Sequence, residues 1–427
     1  MSKPIPQLGY HYYPDEGHFT ESDLSLWLPR LDSLGAKWLT IRGTLRRAIP
    51  EIFIKSLLEA GIEPIVHIPE ELEKISTTDL LPIFTSYARW GVRYVVLFDR
   101  PNLRQSWSEA AWSRKGLVER FLDLILPFLE AQRSVGLIPV LPPLEPGGDY
   151  WDTAFLEGLL SSLARRGYKS LLEELILAIY AWTNNHPIDW GSGGPERWIE
   201  TKPYHTPEGS QDQRGFRIFD WYSQISNKTI GRSLPMLALA GGATFSSQPN
   251  EIKLEQHTEK NLSIVRILES NDLPVSLKGF CFYLLASEAS NPHHQDAWFP
   301  SENESLPIVE GIQRLISSSS KGIRKSLAHY VLLPDQLEPA EVLTWEALSN
   351  LLKEKKPTLG FSALEARLAQ DVTIVGDEDL IPPAIENDLR KTGCTVQRIR
   401  ENKQPGSSDA QRYLDYFLSN ILGEKHA

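Results

Sequence analysis

The feature that most restricts the fold is an alternation of short apolar runs with amphipathic segments, repeated at nearly regular spacing up to about residue 320. Eight runs have the length of a β-strand, and they lie at 8–13, 38–43, 64–68, 94–98, 137–143, 175–182, 234–240 and 277–285. Several, such as YVVLF, are apolar throughout, as expected for parallel strands covered on both faces. Eight strands alternating with helices predict an α/β fold, a closed (β/α)8 TIM barrel.

The segments between the runs have the period of amphipathic helices. In the first segment, Leu24, Leu28 and Leu31 recur on one face, and we expect Ser22 to cap the start of the helix and Gly35 to end it. The remaining helices of this part are predicted at 50–60, 79–89, 108–132, 151–165, 215–226, 259–270 and 305–317.

A second, smaller unit is predicted after four consecutive serines at 317–320, which gives domains at 1–322 and 323–427. Short strands are expected in HYVLLP, TLGFS, VTIVG and VQRI, and helices around 344–353 and 382–391. A polar loop at 401–409 and an amphipathic helix in RYLDYFLSNIL follow. This order is typical of a small three-layer, Rossmann-like α/β domain.

Composition and charge exclude several classes of protein. The net charge is -11 and no long basic run occurs, so neither nucleic acid nor an anionic membrane surface is an expected partner. Two cysteines, Cys281 and Cys394, cannot build a disulfide framework or a thiolate metal site, and we expect both to be buried thiols. The turn Val375-Gly376-Asp377 has one glycine and is no nucleotide fingerprint, so no cofactor is predicted.

The N-terminal residues have no apolar core of a secretion signal, and no apolar run reaches the roughly 18 residues that span a bilayer. We therefore expect a cytoplasmic location by default. Association with a cell envelope would require non-classical export.

In a (β/α)8 barrel the functional residues lie at the carboxyl ends of the strands. The polar and aromatic residues at these ends are His11, Tyr13, Arg42, His67, Glu70, Asp99, Arg100, Asn102, Glu145, Asp149, Tyr180, Trp182, Asn184, Asn185, His186 and Glu288. The seventh strand ends in small residues only. The sequence therefore predicts a polar and aromatic barrel mouth.

Two segments are similar to catalytic motifs of a known family. The fourth strand ends in Asp99-Arg100-Pro101-Asn102-Leu103, and the seventh ends in Leu239-Ala240-Gly241-Gly242. Residues 8 to about 315 resemble the clan A glycoside hydrolases, which are retaining enzymes on this barrel. In that family the fourth strand ends in Asn-Glu-Pro-Asn and the seventh in Thr-Glu-Gly-Gly. AWTNNHPIDWG and QRGFRIFDWYSQI resemble the sixth strand and following helix of the family.

The resemblance implies that Arg100 stands at the position of the general acid and Ala240 at that of the nucleophile. Arginine holds its proton too tightly to donate it, and a methyl group cannot attack an anomeric carbon. We therefore expect no catalytic residue at these two positions. An active enzyme would have to recruit another carboxylate pair from Asp99, Glu145 and Glu288, or an unusual nucleophile such as Tyr180 or Tyr283.

Aromatic faces commonly stack on sugar rings, and this chain has twelve tryptophans and fourteen tyrosines. A stacking surface is proposed from Tyr10, Tyr12, Trp107, Trp182, Trp190 and Trp298, with core packing as the alternative for each. The residues expected to bind a carbohydrate are His11, Arg42, Asn102, Tyr180, Trp182, Asn184 and Trp190. Arg100 either pairs with Asp99 or Glu145 and fills the cleft, or binds an anionic ligand.

No metal site is expected, because adjacent histidines such as His293 and His294 usually point apart. In the second unit, VTIVGDEDLIPPAIENDLRKTGCTVQRI is similar to one cell-wall-binding repeat of bacterial surface proteins, and Arg412-Tyr413 is similar to its continuation.

Three functional hypotheses follow from the sequence. The first is a catalytically silent glycosidase-like protein that binds carbohydrate or acts in an assembly. The second is a glycoside hydrolase with a relocated carboxylate pair. The third is a structural subunit whose barrel is a scaffold and whose second domain contacts a protein partner.

Overall fold

The computed structural model describes residues 7–72, 75–245, 254–270, 272–321, 325, 327–334 and 357–399. The chain divides into two compact units, Met1–Gln313 and Arg314–Ala427. Among the described helices, none has both the length and the apolar character needed to cross a bilayer.

The first unit is the predicted barrel. Its strands are β1 Gln7–His11, β2 Trp38–Arg42, β3 Glu63–Ile68, β4 Tyr94–Leu97, β5 Val140–Leu141, β6 Ile176–Trp182, β7 Met236–Gly242 and β8 Leu277–Phe282. Parallel neighbours follow the order β4-β3-β2-β1-β8-β7-β6-β5. A parallel bridge between Tyr94 and Ile138 joins the two ends of this order, so the ring closes. The prediction of eight parallel strands in a barrel is confirmed.

Helices connect successive strands around the ring. They are α1 Glu21–Ser33, α2 Glu51–Glu59, α3 Thr77–Arg89, α4 Glu109–Trp112, α5 Leu117–Ser134, α6 Asp152–Arg165, α7 Lys169–Glu174, α8 Gly194–Arg197, α9 Ile218–Ile230, α10 Leu254–Glu269 and α11 Pro307–Lys321. Short 3-10 turns lie at Arg104–Ser106 and His294–Asp296.

Local chemistry explains where these elements differ from the prediction. The fifth strand is two residues long rather than seven, because prolines at 139, 142 and 143 have no N–H for a sheet ladder. The helix predicted at 108–132 is interrupted at Gly116, whose φ of 73° is left-handed. Ser22 was predicted to cap α1, but Thr20 does so, because its side chain and that of Asp23 form a reciprocal capping box.

The two-residue period of β1 decides which side chains enter the barrel. His11 lines the cavity at the mouth of the barrel. Tyr10 and Tyr12 lie on the opposite face, where both are fully buried, and the Tyr10 hydroxyl donates to the carbonyl of Leu34 at 2.9 Å. Tyr12 packs against Trp27 of α1 and an aromatic residue of α2. These tyrosines therefore belong to the layer between strands and helices.

Below the mouth, inward-facing side chains fill the barrel. Buried residues of this interior cluster include Trp38, Ile65, Val96, Leu237 and Cys281. Tyr180 packs on the top of the cluster. Both cysteines of the chain are free and buried, as predicted.

The second unit contains a four-stranded parallel sheet. Its strands are β9 Leu327–Leu332, β10 Thr358–Gly360, β11 Ala369–Val375 and β12 Thr395–Ile399, in the order β10-β9-β11-β12. Two helices, α12 Ala363–Ala366 and α13 Pro383–Lys391, connect the later strands. The predicted helix at 344–353, the loop at 401–409 and the helix in RYLDYFLSNIL lie outside the described residues.

Candidate functional site

The mouth of the barrel holds a cavity of about 420 Å³. Charged and imidazole groups on its wall are His11, Arg42, His67, Asp99, Arg100, Glu145 and His293, and the aromatic groups are Tyr180, Trp182 and Tyr283. Asn184, Ala240 and Thr244 complete much of the remaining lining. These residues come from the ends of all eight strands, and they lie at the carboxyl edge of the sheet.

One guanidinium group connects two carboxylates in this cavity. Arg100 donates from Nε to Asp99 Oδ2 at 2.8 Å and from Nη1 to Glu145 Oε2 at 3.4 Å. The other Asp99 oxygen accepts from the Tyr180 hydroxyl at 2.8 Å. These are the ion pairs expected if Arg100 fills the cleft.

Neighbouring residues of an extended strand point to opposite sides, yet Asp99 and Arg100 both line the cavity. The backbone accounts for this, because Phe98 has a φ of 67° and Arg100 a φ of 45°. Left-handed conformations at these two positions end β4 and turn both side chains inward.

The charged groups of this cluster, together with burial, shift one another's pKa values. Burial opposes the charge of Arg100, but Asp99, Tyr180 and Glu145 outweigh burial and raise the pKa of the guanidinium. Burial raises the pKa of Glu145, although the adjacent Arg100 opposes that rise. Burial, together with the Asp99 carboxylate, raises the pKa of the Tyr180 hydroxyl well above its ordinary value. Tyr180 is therefore a hydrogen-bond donor at neutral pH rather than a phenolate nucleophile.

The aromatic wall comes from β6 and the end of β8. Tyr180 and Trp182 alternate with the buried Ala181, so both rings face the cavity, and they stack at 5.7 Å between centroids. Tyr283 meets Trp182 edge to face at 5.5 Å. All three rings are only half-buried. Such faces can stack on the apolar face of a sugar ring.

Burial keeps two histidines of the wall, His11 and His67, neutral. His67 Nε2 lies 2.9 Å from the carbonyl of Phe98, and burial lowers the pKa of its imidazole. Burial, with His67, Arg42 and His293 nearby, lowers the pKa of His11 to about 3. The Nδ1 atom of His11 is buried without a hydrogen-bond partner.

β7 has no ionisable side chain along its length, Met236–Gly242. Ala240 lies opposite Tyr180 in the register, after an irregularity that skips one residue of β7. All seven residues of β7 are buried. The sequence analysis did not single out Thr244, which follows the two glycines of this strand and lines the cavity. Its position two residues beyond Gly242 is the signal that would have found it.

Of the residues predicted to bind a carbohydrate or to serve as alternative carboxylates, Asn102, Trp190 and Glu288 do not line the cavity. Asn102 is fully buried, and its amide nitrogen donates to the carbonyls of Glu145 and Tyr150 at 2.9 and 3.0 Å. Its oxygen accepts from the Glu145 backbone at 2.8 Å, so Asn102 holds the loop after β5 against the loop after β4. Trp190 stacks on His186 at 4.0 Å.

Glu288 was predicted as a member of an alternative catalytic carboxylate pair. Its side chain is 63% exposed and lies 3.7 Å from His18, outside the cavity lining. Of the proposed stacking residues, Trp107 and Trp298 are buried like Tyr10 and Tyr12. Trp182 is the member of that set that reaches the cavity.

In the part of the chain that the structure describes, no three His, Cys, Asp or Glu side chains are grouped to hold a metal ion. His293 faces the cavity, whereas His294 contacts the carbonyl of Ser287 through Nδ1 at 3.3 Å. The two histidines thus point apart.

The (β/α)8 fold of the barrel is shared with solved structures of glycoside hydrolases. A family 39 glycoside hydrolase from the gut symbiont Bacteroides cellulosilyticus matches with a TM-score of 0.50 at 10% identity, over 73% of this chain and 63% of that enzyme. The chain thus spans less than two thirds of the length of that enzyme. These values show a shared fold.

Two further solved structures match over most of their own length. A family 128 endo-β-1,3-glucanase from Sorangium cellulosum has a TM-score of 0.42 at 11% identity, covering 72% of this chain and 97% of that one. A psychrophilic family 10 endo-β-1,4-xylanase has a TM-score of 0.45 at 7% identity, and the match covers 72% of this chain and 96% of that one. No protein-family model and no curated protein matches the sequence.

Proposed function

We propose that the barrel binds a carbohydrate in its cavity and does not cleave it. The observation that carries this proposal is the position of Arg100, whose guanidinium contacts both Asp99 and Glu145. A cation therefore lies between the carboxylates that line the cavity. Ala240, on the opposite edge, supplies neither a nucleophile nor a charge.

Retaining hydrolysis requires one carboxyl group to protonate the leaving oxygen and a second, about 5 to 5.5 Å away, to attack the anomeric carbon. Arg100 cannot serve as the acid, since its carboxylate neighbours raise its already high pKa. Its guanidinium also occupies space that the glycosidic oxygen would need between Asp99 and Glu145. An oxocarbenium-like transition state would then face a positive charge rather than a negative one.

Carbohydrate binding is supported by the shape and chemistry of the wall. A volume of about 420 Å³ lies in the range of ligand pockets, and half-exposed aromatic rings stand beside groups that donate and accept hydrogen bonds. Trp182 and Tyr283 supply ring faces at right angles, and Asn184 and His11 supply polar atoms beside them.

A second candidate is a hydrolase that uses Asp99 and Glu145. One observation favours it: burial raises the pKa of Glu145, as a general acid requires, while Asp99 accepts two hydrogen bonds that stabilise a carboxylate. This candidate requires Arg100 to move away from both carboxylates when substrate enters.

The test combines turnover and binding. A panel of aryl glycosides and plant and bacterial oligosaccharides is incubated with the wild-type protein, and with Asp99→Asn and Glu145→Gln variants. We expect no release above the rate without protein. Turnover that disappears in either variant would establish the second candidate instead.

Binding of the same oligosaccharides is measured by ligand-observed NMR with Trp182→Ala and Trp190→Ala variants. Stacking on one aromatic residue contributes about 0.5–1.5 kcal/mol beyond burial, so we expect Trp182→Ala to weaken binding by about tenfold in total. Trp190 lies outside the cavity and serves as the matched control. Equal losses in both variants, or none in either, would contradict the proposal.

For the second unit, the similarity to a cell-wall-binding repeat and a role in assembly stay predictions, as does the cytoplasmic location. Binding of the full chain to purified cell-wall polysaccharide, measured by co-sedimentation, tests the first of these.

A further inference from the structure

The two arginines of the cavity have different surroundings. Arg100 contacts two carboxylates. Arg42 ends β2 in the wall of the same cavity and forms no ion pair or hydrogen bond with any residue that the structure describes. Arg42 is half-buried, so its guanidinium is partly withdrawn from water without a counter-charge.

The charges around the cavity are unusual for this chain. The whole sequence has a net charge of -11, yet the cavity wall has two arginines against the two carboxylates of Asp99 and Glu145. Both carboxylates contact Arg100, so the positive charge of Arg42 has no direct counter-ion among the residues that the structure describes. Burial lowers the pKa values of the neighbouring His11 and His67, which therefore neither cancel nor add to this charge at neutral pH. The four charges of the wall sum to zero, but Arg42 is the cation without an ion pair in the described part of the chain, so its guanidinium is open to an anionic ligand.

We infer that the cavity selects a sugar that carries one carboxylate, a uronic acid, and that Arg42 binds this carboxylate. The inference rests on the proposed carbohydrate binding. A guanidinium has five N–H donors in a planar fork that matches a carboxylate, so the contact is bidentate and charge-assisted. The sugar ring lies against Trp182, and Asn184 in the same wall supplies polar atoms to its hydroxyl groups.

A neutral sugar fits the same wall less well. It would displace water from Arg42 and offer only hydroxyl groups in return, which leaves a desolvated cation without a counter-charge. A phosphorylated sugar brings nearly two negative charges, whereas one guanidinium of the wall lacks an ion pair among the described residues and two carboxylates lie in the same wall. A single carboxylate supplies an ion pair for Arg42 and adds less repulsion against Asp99 and Glu145.

The experiment compares probes that differ only at C6. Methyl β-glucuronide and methyl β-glucoside, and the matching galacto pair, are titrated against the full chain by NMR and calorimetry at pH 7 and low salt. Since hydrogen bonds to charged groups contribute about 1.5–3 kcal/mol, we expect at least one uronide to bind about tenfold or more tightly than its neutral partner. The difference should shrink as salt is added.

Arg42→Gln removes the charge and should abolish the preference, whereas Arg42→Lys should keep part of it. Arg46→Gln removes the same charge from an exposed position four residues away, and should leave the preference unchanged. Thermal melts followed by tryptophan fluorescence verify that each variant is folded.

The outcomes separate the two proposals. If neither uronides nor neutral sugars bind, carbohydrate binding itself fails, and this inference fails with it. If neutral sugars bind as tightly as uronides, or if Arg42→Gln keeps the preference of the wild type, carbohydrate binding stands and the role of Arg42 is wrong.

Discussion

Asp152 begins α6 and is fully buried beneath the loop that holds Glu145. Its carboxylate accepts hydrogen bonds from the Gly147 backbone at 2.8 Å, from Gln213 at 2.6 Å and from the Tyr222 hydroxyl at 2.8 Å. No cation forms an ion pair with it among the residues that the structure describes. The ionisation of Asp152 therefore connects the stability of the barrel to the anchoring of this loop.

Burial raises the pKa of Asp152 from 3.8 to about 6, although the three hydrogen-bond donors favour the carboxylate. The folded protein thus binds the proton more tightly than the unfolded chain does. Stability from this group is fully present below pH 3.8 and is lost as the pH rises through about 6. A difference of two pKa units corresponds to about 3 kcal/mol of unfolding free energy.

Asp152→Asn keeps the size of the side chain and removes its titration. We expect the stability of the wild type, relative to this variant, to fall by about 2.5 kcal/mol between pH 4 and pH 7. Urea unfolding across this range, followed by tryptophan fluorescence, measures the difference. Eleven of the twelve tryptophans precede residue 314, so the signal reports on the barrel unit.

A second variant tests whether the hydrogen bonds to Asp152 help to set its pKa. Tyr222→Phe removes one hydrogen bond that favours the carboxylate, so it should raise the pKa of Asp152 further. The loss of stability with rising pH should then extend to higher pH. If wild type and Asp152→Asn have parallel pH profiles within about 1 kcal/mol, burial does not govern this carboxyl group.

Three further changes are tested by the same urea unfolding. Burial lowers the pKa of His257 to about 4, so its contribution is present above pH 6.5 and is lost as the pH falls; His257→Leu should reduce this acid sensitivity by about 3 kcal/mol. Asn102→Ala removes three buried hydrogen bonds and should cost about 2–3 kcal/mol, against less than about 0.5 for the exposed Asn227→Ala. Gly9→Ala would place its Cβ 2.6 Å from that of Trp38 and should cost about 2 kcal/mol or more.

The barrel was predictable from the sequence because burial on both faces leaves a continuous apolar signal in each strand. YVVLF, for example, has one face on the interior cluster and the other under helices, and all four residues of β4 are buried. Local turn chemistry fixed most boundaries within a few residues. The closure between Tyr94 and Ile138 depends on the whole ring and has no local signal.

The site was less predictable, because the position of a residue after a strand does not determine the direction in which its side chain points. Alternation alone sends Asp99 away from the cavity, and the left-handed conformations of Phe98 and Arg100 that bring it back are not encoded by glycine or asparagine. Asn102 and Glu288 both follow strand ends, yet one is buried as a support between loops and the other is exposed beside His18. The path of each loop decides these outcomes.

The lining of the cavity also bears on the choice between a binding protein and a scaffold. A barrel that serves only as a scaffold gains stability by filling its mouth with apolar side chains, because a half-buried charge without a partner costs free energy. Here the mouth has a cavity of about 420 Å³, and Arg42, beside half-exposed aromatic rings, forms no ion pair with any described residue. Arg100, in contrast, contacts two carboxylates of the protein. An anion in the cavity would supply a direct counter-ion for Arg42, and this supports the proposed ligand binding over a purely structural role.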